Sequence, residues 1–346
     1  MLPCEWEKEE WRYCHRTRYF RLMANMPGRV GVLVYDGCFA SEVFTVLDML
    51  ALANRVAEFS GGSAPFTTSV HAVRPGLVST SGGTAVRAHR MDYGLDLLVV
   101  PGFDLAPAQD VIHRLDAWRP EIALLRRVLQ RNIQIASICV GAFLLAEAGL
   151  LDERRATTAW LLADILQERY PRVAVDRNAL LVEDGPVTTT GAFSAGSDLA
   201  LHLVRLSAGK SVARRTSRIT LTAGRLSQTP FIDASLIDNA QGAFSAEVRH
   251  YLVTNLDSEY NLNKLAAAHH VSTRTMLRRF RAETGQTPLD YLQSVRVSRA
   301  RQLLESTDLS VVEVARAVGY HDTSTFRRMF AGLVGLRPSE YRHTFS

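Results

Sequence analysis

The chain has 346 residues, 47% hydrophobic and 22% charged, with a formal net charge of +5. That length and balance suit a soluble globular protein of two domains, and they argue against a disordered chain or a membrane-threaded one. No apolar run reaches the roughly 20 residues of a membrane span, and the mixed-charge N-terminus shows no secretory signal, so cytoplasm is the expected compartment. There the four cysteines (Cys4, Cys14, Cys38, Cys139) would stay reduced, and their spacing suggests neither a metal nor a cofactor.

Residues 1–28 show no clear period and read as a disordered extension. From residue 29, strands and helices alternate. Val30-Gly-Val-Leu-Val-Tyr35 is a β-rich run ended by Asp36-Gly37, Glu42 to Val56 has helical spacing, and Phe66 to Val73 alternates as a strand. Leu95 to Val100 is almost wholly apolar, as in a strand buried on both faces, and stops at Pro101-Gly102. Ala117 to Arg131 is helical, Ile133 to Ser137 is a second buried strand, and Gly141 to Gly149 is a helix with a glycine stop. A helix over Gly191 to Leu206 completes the pattern. The alternation predicts an α/β domain over 29–222, a doubly wound, flavodoxin-like parallel sheet covered on both faces. The basic stretch from Lys210 leads into a linker predicted at 223–239, and the segment Lys210 to Asn239 reads as a hinge.

Residues 240–346 read as an all-α domain with two helix-turn-helix units. The first is Leu262 to Phe280, and the pattern returns about fifty residues later at Val312 to Phe330. Gly319 stands at the second turn, where a positive φ is cheap for glycine, and His270 stands at the first. Ser272 is placed to cap the first recognition helix, Ser310-Val-Val-Glu313 is a capping box, and Thr287-Pro288 opens the helix between the units. Leu265, Ala266, Met276, Phe280, Ala315, Val318, Phe326 and Phe330 fall on the apolar period and are assigned to the core. From Gln241 to the end there are 14 Lys and Arg against 10 Asp and Glu, and 13 of the 14 are Arg, suited to bidentate phosphate and guanine contacts. A duplicated helix-turn-helix of this kind predicts binding to double-stranded DNA.

Gly319-Tyr320, Phe326-Arg-Arg-Met-Phe330 and Gly335-Leu-Arg-Pro338-Ser-Glu-Tyr341-Arg resemble the second-unit signature of the AraC/XylS transcription activators. The resemblance implies two recognition helices in successive major-groove segments, about one helical turn (~34 Å) apart. Carried over by position, Arg274 and Arg278 would face bases from the first helix, and Thr323, Ser324 and Arg327 from the second. Ser272 belongs to the same DNA-facing set, with Arg279 and Arg328 at phosphates or solvent.

Upstream, Cys139 lies where the strand ending at Ser137 turns into a helix, an elbow that exposes a thiol to free N–H groups and predicts a lowered thiol pKa. With Leu98-Val-Val-Pro-Gly102, Leu144-Leu-Ala-Glu-Ala-Gly-Leu-Leu151 and Gly191-Ala-Phe-Ser-Ala-Gly-Ser-Asp198, it resembles the PfpI-like branch of the class I glutamine-amidotransferase-like superfamily. The two resemblances together match the arrangement of GlxA-like regulators. Relatives commonly carry a histidine in an Ala-Thr-Thr-His-Trp segment, but here it reads Ala156-Thr-Thr-Ala159-Trp160. With alanine in that place, the expectation is a ligand pocket rather than an enzyme. Its candidate lining is Cys139, Glu42, Gly102, Thr158, Trp160 and Phe193. A cysteine hydrolase or lyase, a redox sensor at Cys139, and a plain dimerisation platform stay open as alternatives.

The expected function is a transcription regulator that dimerises through its N-terminal domain and answers to a small polar metabolite. A carboxylate, an amide and a quaternary ammonium are all compatible. An activator would also have RNA polymerase as a partner, and no membrane partner is expected.

Overall fold

Six parallel strands carry the N-terminal half. β1 (Gly28–Leu33) pairs in parallel with β2 (Phe66–Ala72) on one side and β5 (Leu97–Val100) on the other. β5 pairs with β6 (Gln134–Ser137), and β6 with β10 (Val187–Thr190), again in parallel. All four residues of β5 are buried, as its unbroken apolar run requires. The computed structural model describes residues 28–104, 111–222, 225, 227–232 and 243–345, which divide into two units between Gln228 and Thr229. The extension expected over 1–28 therefore lies outside the described residues, apart from Gly28.

The central strand order β2-β1-β5-β6-β10 is the flavodoxin-like one, so the fold class read from the alternation is right. Toward the two ends the sheet gains strands that the sequence pattern does not predict. β4 (Ala85–Arg90) pairs in parallel with β2 and antiparallel with the edge strand β3 (Gly76–Ser79), and the edge strand β9 (Leu181–Asp184) pairs antiparallel with β10. These short edge strands are half exposed and lack the apolar run that marks a buried strand. A two-stranded ladder, β7 (Arg155–Ala156) with β8 (Ala174–Val175), lies apart from the main sheet.

The helices of this unit are α1 (Ala40–Phe59), α2 (Val111–Ala117), α3 (Arg119–Gln130), α4 (Ala142–Glu147), α5 (Ala163–Arg169), α6 (Gly196–Ser207) and α7 (Gly209–Ile219). The helix predicted over 117–131 is α3, opened by Pro120 in its first turn, and a separate helix, α2, ends at Ala117 just before its cap Trp118. The basic stretch from Lys210 is a regular helix and not a hinge. Val212 and Ala213 pack on the core, Thr216 is buried, and α7 lies against α6 and α1. Gln228, expected in the linker, is 2% exposed and bonded within this same unit. Most of the remaining linker lies outside the described residues.

The second unit holds α8 (Ala243–Thr254), α9 (Leu262–Ala268), α10 (Thr273–Thr284), α11 (Pro288–Ser306), α12 (Val311–Ala317), α13 (Thr323–Val334) and α14 (Pro338–Phe345). It has two cores. Phe244, Val248, Leu265, Met276, Phe280 and Leu292 make the first, and Val297, Leu304, Val314, Val318, Phe326 and Phe330 are in the second. α11 supplies side chains to both, so one 19-residue helix joins the two helix-turn-helix units.

Candidate functional site

At the elbow, β6 ends at Ser137 and the backbone turns through Cys139 with φ 54, left-handed for a residue that is not glycine. A single 3-10 turn (Cys139–Gly141) then leads into α4. Three chain segments converge there. Glu42, in the first turn of α1, accepts a hydrogen bond from the Gly102 N–H at 2.5 Å. A Cβ placed on Gly102 would stand 3.2 Å from the Cys139 Cβ and 3.3 Å from Glu42 Oε2. From the other side, the buried Thr158 hydroxyl donates to the Cys139 carbonyl at 2.9 Å.

Four of the six predicted pocket residues are thus brought together: Cys139, Glu42, Gly102 and Thr158. Phe193 is one step removed. Its half-exposed ring meets Phe39 edge-on at 4.9 Å, and the Phe39 N–H donates to the Gly102 carbonyl at 2.9 Å. Trp160 is connected to Gln228, whose Oε1 accepts from its backbone N–H at 3.3 Å.

Electrostatically the elbow runs against the expectation of a lowered thiol pKa. Burial, and then the Glu42 carboxyl, push the Cys139 thiol well above its ordinary range. The helix after the elbow is only six residues long, and the desolvation of a 6% exposed side chain outweighs its N-terminal field. Glu42 is itself 2% exposed, and burial raises its pKa to about 8 against the bond from Gly102. Near neutral pH it is therefore chiefly a neutral acid with a proton to donate. Its Oε1 is buried and has no hydrogen-bond partner among the described residues. Ala159, beside Thr158, presents a methyl group that can move no proton.

Three residues of this region escaped the sequence reading. The buried Tyr35 hydroxyl donates to the Pro101 carbonyl at 2.5 Å, holding the strand end beside Gly102. Cys38 is a second buried thiol, pushed up to about 11 chiefly by burial. Gln228 reaches back into the unit, donating to the carbonyls of Thr158 (2.9 Å) and Ala179 (3.0 Å) and accepting from the Ala192 N–H (3.0 Å). Gly191 makes room for it, since a Cβ there would fall 2.3 Å from Gln228 Cδ. No local pattern announces such a long-range plug.

In the second unit, α9 and α10 form one helix-turn-helix, α12 and α13 the other. The turns carry His270 at φ 54 and Gly319 at φ 81, both in the left-handed region. Ser272 Oγ accepts from the Thr275 N–H at 3.2 Å and caps α10. Asp322, not singled out in the sequence, caps α13 by accepting from the N–H groups of Ser324 (3.1 Å) and Thr325 (2.9 Å). The hydroxyls of Ser324 and Thr325 also bond this carboxylate and hold it well below the usual carboxylate range.

Arg274 and Arg278 are exposed and share a shallow concavity with Arg281 and Thr273, while Arg327 and Arg328 are exposed on α13. Thr323 is half-buried at the start of that helix. Arg279 differs from the other arginines. It pairs with Glu283 at 3.1 Å and lies over the Phe244 ring at 4.2 Å, so its guanidinium already has two partners within the unit. Arg296, also missed, is buried in α11. It donates to the carbonyls of Leu256 (2.9 Å) and Ser258 (2.6 Å) and lies beside Gly319.

Among the described residues no helix is long and apolar enough to cross a membrane, and no group of three or more His, Cys, Asp or Glu could hold a metal ion. Residues 28–206 match the DJ-1/PfpI family, and residues 265–344 match a helix-turn-helix domain. The chain is 29% identical over 280 residues to the HTH-type transcriptional regulator CdhR of Pseudomonas aeruginosa, covering 77% of this chain and 80% of that one. To the regulator GbdR of the same species it is 26% identical, over 72% of this chain and 70% of the relative. The HTH-type transcriptional regulator GlxA of Rhizobium meliloti is 32% identical over 217 residues, 61% of this chain and 67% of that one.

Proposed function

We propose, for a chain that belongs to the DJ-1/PfpI family and is a transcription regulator with an AraC-type helix-turn-helix domain, that its α/β unit binds a small polar effector at the Cys139 elbow. The observation that carries this reading is the buried Glu42 carboxyl. One of its oxygens is spent on Gly102 and the other has no partner among the described residues, beside a thiol too protonated for nucleophilic work. A buried polar atom without a partner is costly, and a ligand group would satisfy it. The proposed lining is Cys139, Glu42, Gly102 and Thr158, with Phe193 and Trp160 at its edge. In this reading the protein is a cytoplasmic activator that dimerises through the α/β unit and engages RNA polymerase. The effector acts by favouring the DNA-competent arrangement.

The rival reading, a cysteine hydrolase or lyase or a redox sensor, needs a ready thiolate. Burial and the neighbouring carboxyl both act against one. Slow alkylation of Cys139 by iodoacetamide at pH 7.5 is expected, and a rate above that of a free thiol would favour the rival.

The direct test is a thermal-shift screen of the full chain against amino acids, betaines and amides. A specific ligand raises the melting temperature by mass action, and Glu42→Gln abolishes the rise. A cationic ligand pairs with the Glu42 carboxylate, so its binding tightens as pH rises through about 8. A ligand that accepts a hydrogen bond from the neutral acid weakens over the same interval. A broad panel without any hit sinks the effector reading and leaves the DNA-binding one standing.

A further inference from the structure

The residues from Leu199 to Ile232 include six Lys and Arg and no Asp or Glu, a charge of +6 in 34 residues of a chain whose net charge is +5. Two of the six bond titratable side chains: Arg205 bonds His202 at 3.0 Å, and Arg225 pairs with Asp198. The other four, Lys210, Arg214, Arg215 and Arg218, all lie on α7 and are all exposed. None forms an ion pair among the described residues, and Arg215 bonds only the neutral Ser60 hydroxyl, at 2.8 Å. Elsewhere in this unit arginines are commonly matched, as in Arg154 with Asp184, Arg169 with Glu147 and Arg172 with Asp152.

At about 100° per residue, the four cations of α7 fall within an arc of roughly 140°, and Val212, Ala213 and Thr216 occupy the opposite side against α6 and α1. The helix is therefore held by its apolar face and presents an all-basic one. Lys210, Arg214 and Arg218 repeat every four residues, a like-charge spacing that works against an isolated helix. No carboxylate on the helix relieves it. A polyanion would. Nine residues of chain lie between Ile219 and Thr229, where the DNA-reading unit begins, and Arg225 and Gln228 among them are bonded within the first unit, so α7 ends at most ~36 Å along the chain from that start. That is about one turn of duplex.

We propose that the basic face of α7 is a second DNA contact, a sequence-independent clamp on phosphates flanking the site read by the helix-turn-helix units. The occupant is duplex DNA because the DNA-reading unit begins within about one turn of duplex, along the chain, of the end of α7. Once the recognition helices are seated, α7 meets the flanking backbone at high effective concentration, and guanidinium groups suit phosphate oxygens. The clamp adds affinity and counterion release without altering which bases are preferred.

The test uses the full chain, a binding site selected from a random DNA pool, and the triple variant Arg214→Ala/Arg215→Ala/Arg218→Ala. Affinity is measured against salt on two duplexes, one trimmed to the selected site and one with 15 flanking base pairs on each side. With flanks, the salt slope of the triple variant should fall by about 0.9 for each phosphate that α7 no longer neutralises, two to three in all. Affinity near physiological salt should drop by tenfold or more, with an unchanged selected sequence. On the trimmed duplex, variant and parent should differ little. The triple Lys variant keeps the charge and should keep the slope, which separates a missing clamp from a misfolded helix. Equal slopes for parent and Ala variant on the flanked duplex overturn the proposal. So does a loss confined to binding of anionic lipid vesicles. A parent chain that selects no DNA site at all would instead overturn the DNA-binding reading itself.

Discussion

Glu42 has the most consequential surroundings of any single side chain in the N-terminal unit. Its folded-state pKa, about 8, lies above the ordinary carboxyl value of 4.5. The folded protein therefore holds a proton that the unfolded chain has released between those two values. The linked stability is complete below about pH 4.5 and is lost as pH rises toward 8. The full interval corresponds to a loss on the order of 3–5 kcal/mol. Glu42→Gln keeps the shape and removes the titration, so its melting temperature should fall less between pH 5.5 and 8.5 than the parent's. Parallel melting curves for the two proteins would show that Glu42 titrates as an ordinary carboxyl. Cys139 supplies a second residue-scale fact, a left-handed backbone at a residue other than glycine. Such strain of roughly 1–2 kcal/mol persists only where the surroundings hold it, here by the Thr158 bond and the packing against Gly102.

At the scale of elements, the two helix-turn-helix turns show why equal geometry does not mean equal tolerance. His270 and Gly319 share a left-handed φ, but His270 is exposed and Gly319 is hemmed in. A Cβ on Gly319 would stand 2.8 Å from both the Leu256 carbonyl oxygen and Arg296 Nη2. Gly319→Ala should therefore destabilise the second unit by about 2 kcal/mol or more, from backbone strain plus collision. His270→Gly should be neutral or stabilising by up to ~1 kcal/mol. Urea denaturation of each variant checks the contrast, and equal effects would contradict it.

Gln228 and Gly191 form a comparable pair in the first unit. Gln228→Ala orphans several buried backbone groups at a cost of ~1–3 kcal/mol. Gly191→Ala displaces the same carboxamide by contact. Their effects should be strongly non-additive, with Gly191→Ala nearly harmless once Gln228 is alanine. Simple additivity in a double-mutant cycle would refute that coupling.

At the scale of the whole molecule, two separately cored helix-turn-helix units share α11, and Arg296 ties its middle to the loop at Leu256 and Ser258. That sharing fixes the relation of one recognition helix to the other. The DNA-binding reading proposes different roles for the exposed arginines. Arg278→Ala should relax base preference at one position by roughly 1–3 kcal/mol of discrimination. Arg328→Ala should weaken all sites alike and lower the salt slope by about 0.9. Selection from a random DNA pool with each variant distinguishes them, and an unchanged preferred site for Arg278→Ala would remove it from base reading. Arg279→Ala should show mainly in stability, because its guanidinium is engaged by Glu283 and the Phe244 ring.

Periodicity, turn chemistry and caps are local properties, and they were legible in the chain. The buried strands at Leu97–Val100 and Gln134–Ser137, the Ser272 and Ser310 caps, and the glycine turn at Gly319 follow from which residues neighbour which. The convergence of Glu42, Gly102 and Cys139 could be guessed from resemblance alone, because nearly a hundred residues separate Glu42 from Cys139. Only the parallel sheet brings their strand ends to one edge. The rise of the thiol pKa, the recruitment of Gln228 across the supposed linker, the packing of α7 and the engagement of Arg279 were decided by tertiary structure. Each depends on desolvation or on a partner distant in sequence. A chain read residue by residue carries the groups but not the water that folding removes from around them.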